Sequence, residues 1–171
     1  LPMFDIKRPT KTVDIVTDLE TLAQAVDLKQ QIDDATPDPA GMTDAEICAA
    51  KKATDKLRRE LKTKLKTIDE STVTLTLRGL GSSQWNQIVL ATTTVDQKTG
   101  KQERDINGLL TEALPEMIIS VERHGEPVEF DPAADVPALL EAIVDTQTVE
   151  LLVAVQQLNT PQVEVPKALR A

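Results

Sequence analysis

Very few side chains in this 171-residue chain could do covalent or acid–base chemistry, and their spacing assembles no site. There is one histidine, His124, and one cysteine, Cys48. His124 precedes Gly125 at what reads as a helix end, where a basic ring favours the last carbonyls. No nucleophile or carboxylate pair stands at a defined spacing from it. Cys48 lies beside Ile47, Ala49 and Ala50 and reads as a small core or interface residue. Gly79-Leu80-Gly81 begins a GxG, but Gln84 stands where the third glycine of a dinucleotide fingerprint belongs, and the Walker sequence is missing. The ligand set is too small for zinc, and the carboxylates lack the EF-hand spacing. The expectation is no catalytic, cofactor or metal site, and a binding or assembly protein whose partner the residue chemistry leaves open.

The most informative stretch is Ser71 to Leu90, STVTLTLRGLGSSQWNQIVL. Val73, Leu75 and Leu77 alternate with Thr72, Thr74 and Thr76, which predicts a strand, and a helix-like run begins near Ser82. Gly79 and Gly81 read as the turn between them, with Ser82 and Ser83 as able N-caps. Trp85 is the single tryptophan in a chain without tyrosine and with two phenylalanines. It reads as core, and as the best anchor for a partner if part of it is exposed.

The elements that must position this stretch fall into four segments. Residues 1–42 hold a short strand at Thr12 to Val16, then a helix announced by the capping box Thr17-Asp18-Leu19-Glu20, then a proline-rich linker, DDATPDPAG. Residues 43–70 open with a second capping box, Thr43-Asp44-Ala45-Glu46, and carry Ile47, Ala50, Leu57, Leu61, Leu65 and Ile68 at helical spacings. That predicts a charged helical arm of about 25 residues, or about 37 Å. Residues 71–160 add the strand and a helical domain. One helix carries Trp85, Ile88, Val89 and Ala91, and another starts near Asp105 and runs past Pro115 through Met117 to Val121. Further helix starts lie at Asp131-Pro132 and Asp135-Pro137, and the amphipathic pattern continues to Asn159. Residues 161–171 read as a flexible tail. The fold class is mainly α, with a two- to three-stranded sheet in which Val73 to Arg78 pairs with Thr12 to Val16. The helices between those strands form an inserted hairpin.

Charge is unevenly spread. The net charge is −9, yet Lys51 to Lys66 carries eight basic residues against Asp55 and Glu60, while Glu103 to Glu150 carries twelve acids against two arginines. No aromatic residue interleaves the lysines, so a base-stacking platform is missing. The basic face reads as solvated or as meeting acidic protein surface, with nucleic acid not expected as a partner. No apolar run approaches the ~20 residues of a membrane span, and the N-terminal residues lack the apolar core of a signal peptide. The chain reads as soluble and cytoplasmic, with no membrane partner.

Arg78-Gly79-Leu80-Gly81 followed by Trp85-Asn86-Gln87-Ile88, behind a charged helix and an apolar strand, resembles the tail assembly chaperones of long-tailed, siphovirus-like bacteriophages and prophages. Leu158-Asn159 is similar to the L-N that ends the terminal helix in that family. One departure is Thr92-Thr93-Thr94, where many relatives have a histidine-proline or proline-rich stretch. The resemblance implies a helper in the host cytoplasm, absent from the mature virion, that keeps the tape measure protein soluble until tail tube subunits polymerise around it. It implies the tape measure protein as partner, with the tail tube protein and further copies of the chain as additional partners. Client contacts are expected on Leu109, Leu110, Ile143, Leu152 and Val155, with Trp85 as an anchor. A structural protein of the tail or head–tail connector, and a regulatory module using the basic helix on nucleic acid, are the competing readings.

Overall fold

The computed structural model describes residues 3–170; residues 1, 2 and 171, the outer ends of the first and last segments above, lie outside it. The fold is mainly α with a small β component. The chain forms two compact units: one takes the residues up to Val13, Thr74–Glu122 and Pro127 onward, the other Asp14–Val73 and Arg123–Glu126.

Strand β1 spans Thr10–Val16, and its alternation puts Val13 and Ile15 inside. Helix α1 (Leu19–Ala35) follows, then α2 (Asp44–Ser71), and α2 passes straight into β2 (Thr72–Arg78). Beta-2 lies next to β1, as expected of two strands that each need a ladder partner, and the inserted helical hairpin is present. The sheet order is β1-β2-β5-β6, where β5 is Ile118–Arg123 and β6 is Glu126–Pro127. Four strands replace the expected two or three.

The hairpin helices are fixed by their caps. At α2 both halves of the capping box form: Glu46 N donates to Thr43 Oγ1 at 3.3 Å, and Thr43 N donates to Glu46 Oε2 at 2.8 Å. At α1 the cap is Asp18 and not Thr17. Asp18 accepts from the Thr21 amide at 3.0 Å and from its hydroxyl at 2.6 Å. Thr17 instead donates its hydroxyl to the Ser71 carbonyl. An aspartate one residue later is an equally good cap, and the Ser71 contact is long-range and so invisible to a local pattern. Ala25 and Ile32 of α1, with Thr54 and Ile68 of α2, are the buried residues of the pair. Alpha-2 has 28 residues, about 42 Å. Cys48 is exposed on it and belongs to no core.

Met117 to Val121 corrects the sequence reading. Alpha-4 (Ile106–Met117) accommodates Pro115 near its end, and the next residues form β5 instead of more helix. Ile118, Ile119 and Val121 are β-branched, and such residues favour a pleated surface. His124 is likewise no helix cap. With Gly125 it forms the two-residue connection between β5 and β6, and both have positive φ, 53° and 77°. That is the signature of a type I′ hairpin turn. His124 Nδ1 lies 2.9 Å from Asp69 Oδ2 at the end of α2, an exposed pair of small energetic value.

In the other unit, α3 (Ser82–Ala91) starts at Gly81 without a side-chain cap, so neither serine serves as N-cap. After α3 comes a strand, β3 (Thr93–Val95), paired antiparallel with β4 (Gln102–Arg104). Alpha-5 (Pro132–Ala142) starts at Asp131-Pro132 as expected, with Asp135 inside it. Alpha-6 (Asp145–Asn159) follows after a break at Ile143 and Val144. The tail contains one 3₁₀ turn at Lys167–Leu169. Helix α4 is the hub: α3, α5 and α6 all pack on it, and Leu109, Leu110, Ala113, Leu114 and Met117 are completely buried.

The two capped helices give a pH expectation. Hydrogen bonds from the Thr21 hydroxyl and amide hold Asp18 below its usual pKa, and the Thr43 amide and hydroxyl do the same for Glu46. A carboxyl depressed in the folded state contributes stability above its unfolded pKa and loses it as pH falls through the folded value. An Asp18→Ala/Glu46→Gln variant should therefore be less stable than wild type at neutral pH. Urea melts across the acid range should show that gap closing as the carboxyls protonate.

Candidate functional site

The glycine turn and the end of α6 form one junction. A Cβ on Gly79 would stand 2.5 Å from the backbone oxygen of Leu158, so only glycine lets the turn approach that closely. Gly79 N donates to Pro9 O at 3.2 Å. The next amide, Leu80 N, donates to Asn159 Oδ1 at 2.7 Å. The other side of the Asn159 amide donates to Val155 O at 2.8 Å and reaches Met117 Sδ at 3.4 Å. Gly79-Leu80 and Leu158-Asn159 are thus 79 residues apart in sequence and touching in space. They position α6.

Alpha-6 is apolar on two sides. Leu151, Ala154, Val155 and Leu158, at i, i+3, i+4 and i+7, form the stripe that enters the core. Val149, Leu152 and Val153 repeat the i, i+3, i+4 spacing on the outside, with Val149 51% and Val153 41% exposed. A helix apolar all round is ordinarily covered all round, so this outer stripe is an unpartnered surface.

Two adjoining hollows flank it, about 340 and 280 Å³ in volume, sharing Arg104, Ile106 and Leu152. Together they form a trough along the outer face of α6, bounded by β4 and the first turn of α4. Its floor is Ile106, Val149 and Leu152; its borders are polar, with Asp105, Asn107, Asp145 and Gln156 among them. Asp105 caps α4 by accepting from Gly108 N at 3.0 Å, which fixes the border beside Ile106. An open apolar floor between polar borders suits an amphipathic helix laid along it.

The expected contact residues separate cleanly. Leu109, Leu110 and Val155 have no exposed surface and belong to the core, so they cannot present themselves to a partner in this fold. Sequence periodicity marks an apolar face without saying what it faces, and here it faces α4 and its neighbours. Trp85 is 8% exposed on α3, which packs on α4, so it is a core residue. Ile143 is half-buried at the end of α5. Leu152 alone of the six opens on the trough. Val149, Val153 and Ile106 were missing from the expected set. The signal for the first two was available: seven apolar residues between Val149 and Leu158 exceed what one helix face holds.

Among the described residues, no group of three His, Cys, Asp or Glu side chains is placed to hold a metal ion, and no helix is long and apolar enough to cross a membrane. No family model, curated protein or solved structure matches the chain.

Two expectations follow from the junction and the hub. Gly79→Ala should cost about 1–3 kcal/mol in urea melts, because the fixed Leu158 carbonyl cannot yield as a side chain would. Asn159→Ala should cost a similar ~1–3 kcal/mol by leaving the Leu80 amide unpaired, and the double variant should lose less than the sum, since both changes break one contact. Trp85→Ala should cost about 3–5 kcal/mol, the range of large-to-small core changes.

Proposed function

We propose that this chain is a tail assembly chaperone of long-tailed bacteriophages, which binds the tape measure protein in the host cytoplasm and keeps it soluble while the tail tube assembles. The observation that carries the reading is the outer stripe of α6, Val149, Leu152 and Val153, of which Val149 and Leu152 floor an open trough with Ile106. A tape measure protein is a long chain of partly apolar helices, and a helix face of this kind is what such a client can cover. The junction of Gly79, Leu80 and Asn159, which the resemblance to that family singles out, holds the trough's main wall in place. A net charge of −9 keeps a complex with an apolar client dispersed. Single trough contacts are weak, so many copies per client are expected, acting through multivalency. The tail tube protein is a second partner on this reading, and the chaperone leaves before the virion matures.

The test is co-production with the tape measure protein of the same genome. The client should be insoluble alone and soluble with this chain, and Val149→Asp/Leu152→Asp should abolish the rescue while circular dichroism stays helical. Normal rescue by the folded variant would move the client site elsewhere. Failure of the wild type to rescue, or its presence in purified virions by mass spectrometry, would overturn the chaperone reading, the latter in favour of a structural component of the particle.

A further inference from the structure

The α1–α2 hairpin has an apolar seam that two helices leave half open. Of the six apolar seam positions on α2, Ile68 alone is buried; Ile47 and Leu65 are 40% and 51% exposed, and Leu61 is half-buried between them. An apolar helix stripe is stable when another element covers it, and α2, at 28 residues against 17 in α1, outlasts its partner. Along the open side run two neighbouring hollows that share Thr36 and Arg58. One, of about 320 Å³, is floored by Pro37, Pro39, Met42, Ile47 and Ala50; the other, of about 510 Å³, reaches Leu61. From Ile47 to Leu61 this seam runs about 21 Å, nearly four helical turns.

The charge beside the seam is one-sided. At about 100° per residue, seven of the eight basic residues between Lys51 and Lys66 fall in a single arc of about 160° that starts at Arg58 on the seam's edge. Lys64 is the exception, and it bonds to Gln24 of α1 at 2.6 Å. Among the described residues none of these seven is in an ion pair. The opposite border is neutralised, because Lys29 and Asp33 pair with each other at 3.0 Å. Asp55 is the one acid lining the hollow of about 320 Å³, against Lys51 and Arg58.

We infer that the hairpin is two thirds of a three-helix bundle, and that its seam docks an acidic amphipathic helix from a partner protein. The partner's apolar stripe covers Ile47, Leu61 and Leu65, and its carboxylates face Arg58 and the lysines beyond it. This surface lies in a different unit from the α6 trough and does not depend on the chaperone reading.

The test uses the full chain and two labelled synthetic helical peptides of about 18 residues, about 27 Å long. They share one leucine–alanine stripe, flanked by glutamates in one and lysines in the other. In anisotropy titrations the acidic peptide should bind saturably, and raising salt from about 50 to about 300 mM should weaken it several-fold by screening. The lysine peptide should not bind. Arg58→Glu, an exposed change that leaves the helix stripe intact, should weaken the acidic peptide by about tenfold or more, and Ile47→Ser/Leu65→Ser should do so without changing its salt dependence. Val149→Ser/Leu152→Ser should leave it unaffected. Equal binding of both peptides, binding of neither, or unchanged binding by folded Arg58→Glu would overturn the inference. So would tighter capture of a DNA duplex that displaces the peptide, which would make the face a polyanion surface. Self-association in sedimentation that Ile47→Ser/Leu65→Ser removes would overturn it too, assigning the seam to a second copy.

Discussion

The close approach of the glycine turn to the end of α6 is the constraint on which the larger unit depends. Gly79 leaves no room for a side chain against the Leu158 carbonyl, and the Leu80 amide is held by Asn159. Asn159 in turn spends its amide hydrogens on Val155 and Met117, which ties the last turn of α6 to the last turn of α4. One side chain thereby joins three elements. An amide partly withdrawn from water and left without a partner costs more than a hydrogen bond contributes when made, so this part-buried junction is held by what its loss would cost. Packing on α4 then fixes the rest: five fully buried residues of that helix are the common floor for α3, α5 and α6.

Alpha-6 is consequently held at one end and along one face, and its remaining apolar face is left outward. Burial of the inner stripe and exposure of the outer one arise from the same local composition. Apolar residues at Val149, Leu151, Leu152, Val153, Ala154, Val155 and Leu158 satisfy helix packing twice over. The capped start of α4 and the short β3–β4 hairpin border the exposed side, so the trough is built on fixed elements. The β3–β4 turn is itself pinned by Asp96, whose carboxyl is held below its usual pKa by the Lys98 amide and the Thr99 hydroxyl. A recognition surface on such supports presents its contacts without first ordering them, which lowers the cost of association.

Much of this architecture was legible in the sequence where local chemistry decides it. The Thr43 capping box, the proline after Asp131 and the alternation at β1 and β2 follow from short-range patterns, and pairing those two strands makes α1 and α2 an insertion. Where two local solutions compete, the pattern misled. Asp18 displaced Thr17 as cap because Thr17 found Ser71, and Ile118 to Val121 became a strand because a short stretch rich in apolar β-branched residues fits either state. Beta-3 and β4, three residues each and largely polar, carry too little alternation to register. The candidate site was legible as composition and illegible as direction. Leu109, Leu110 and Val155 are as apolar as Leu152, and only the path of the chain through the Gly79 junction decides which of them faces water.

The hairpin shows the opposite balance. Its helices are specified by caps and spacing, yet its buried residues are few: Ala25, Ile32, Thr54 and Ile68. Thr54 even turns its hydroxyl back to the Lys51 carbonyl at 3.0 Å, the way a threonine satisfies itself inside a helix pair. Helices this long owe most of their stability to a packed apolar face and little to propensity. Mutual repulsion among the basic residues on one arc of α2 works against the isolated pair. Covering the seam with a helix that carries acids would remove both penalties together, adding apolar burial along Ile47, Leu61 and Leu65 and placing opposite charge where like charges now crowd. The half-open seam and the unpaired cations are therefore a single property of the hairpin, and one occupant satisfies both.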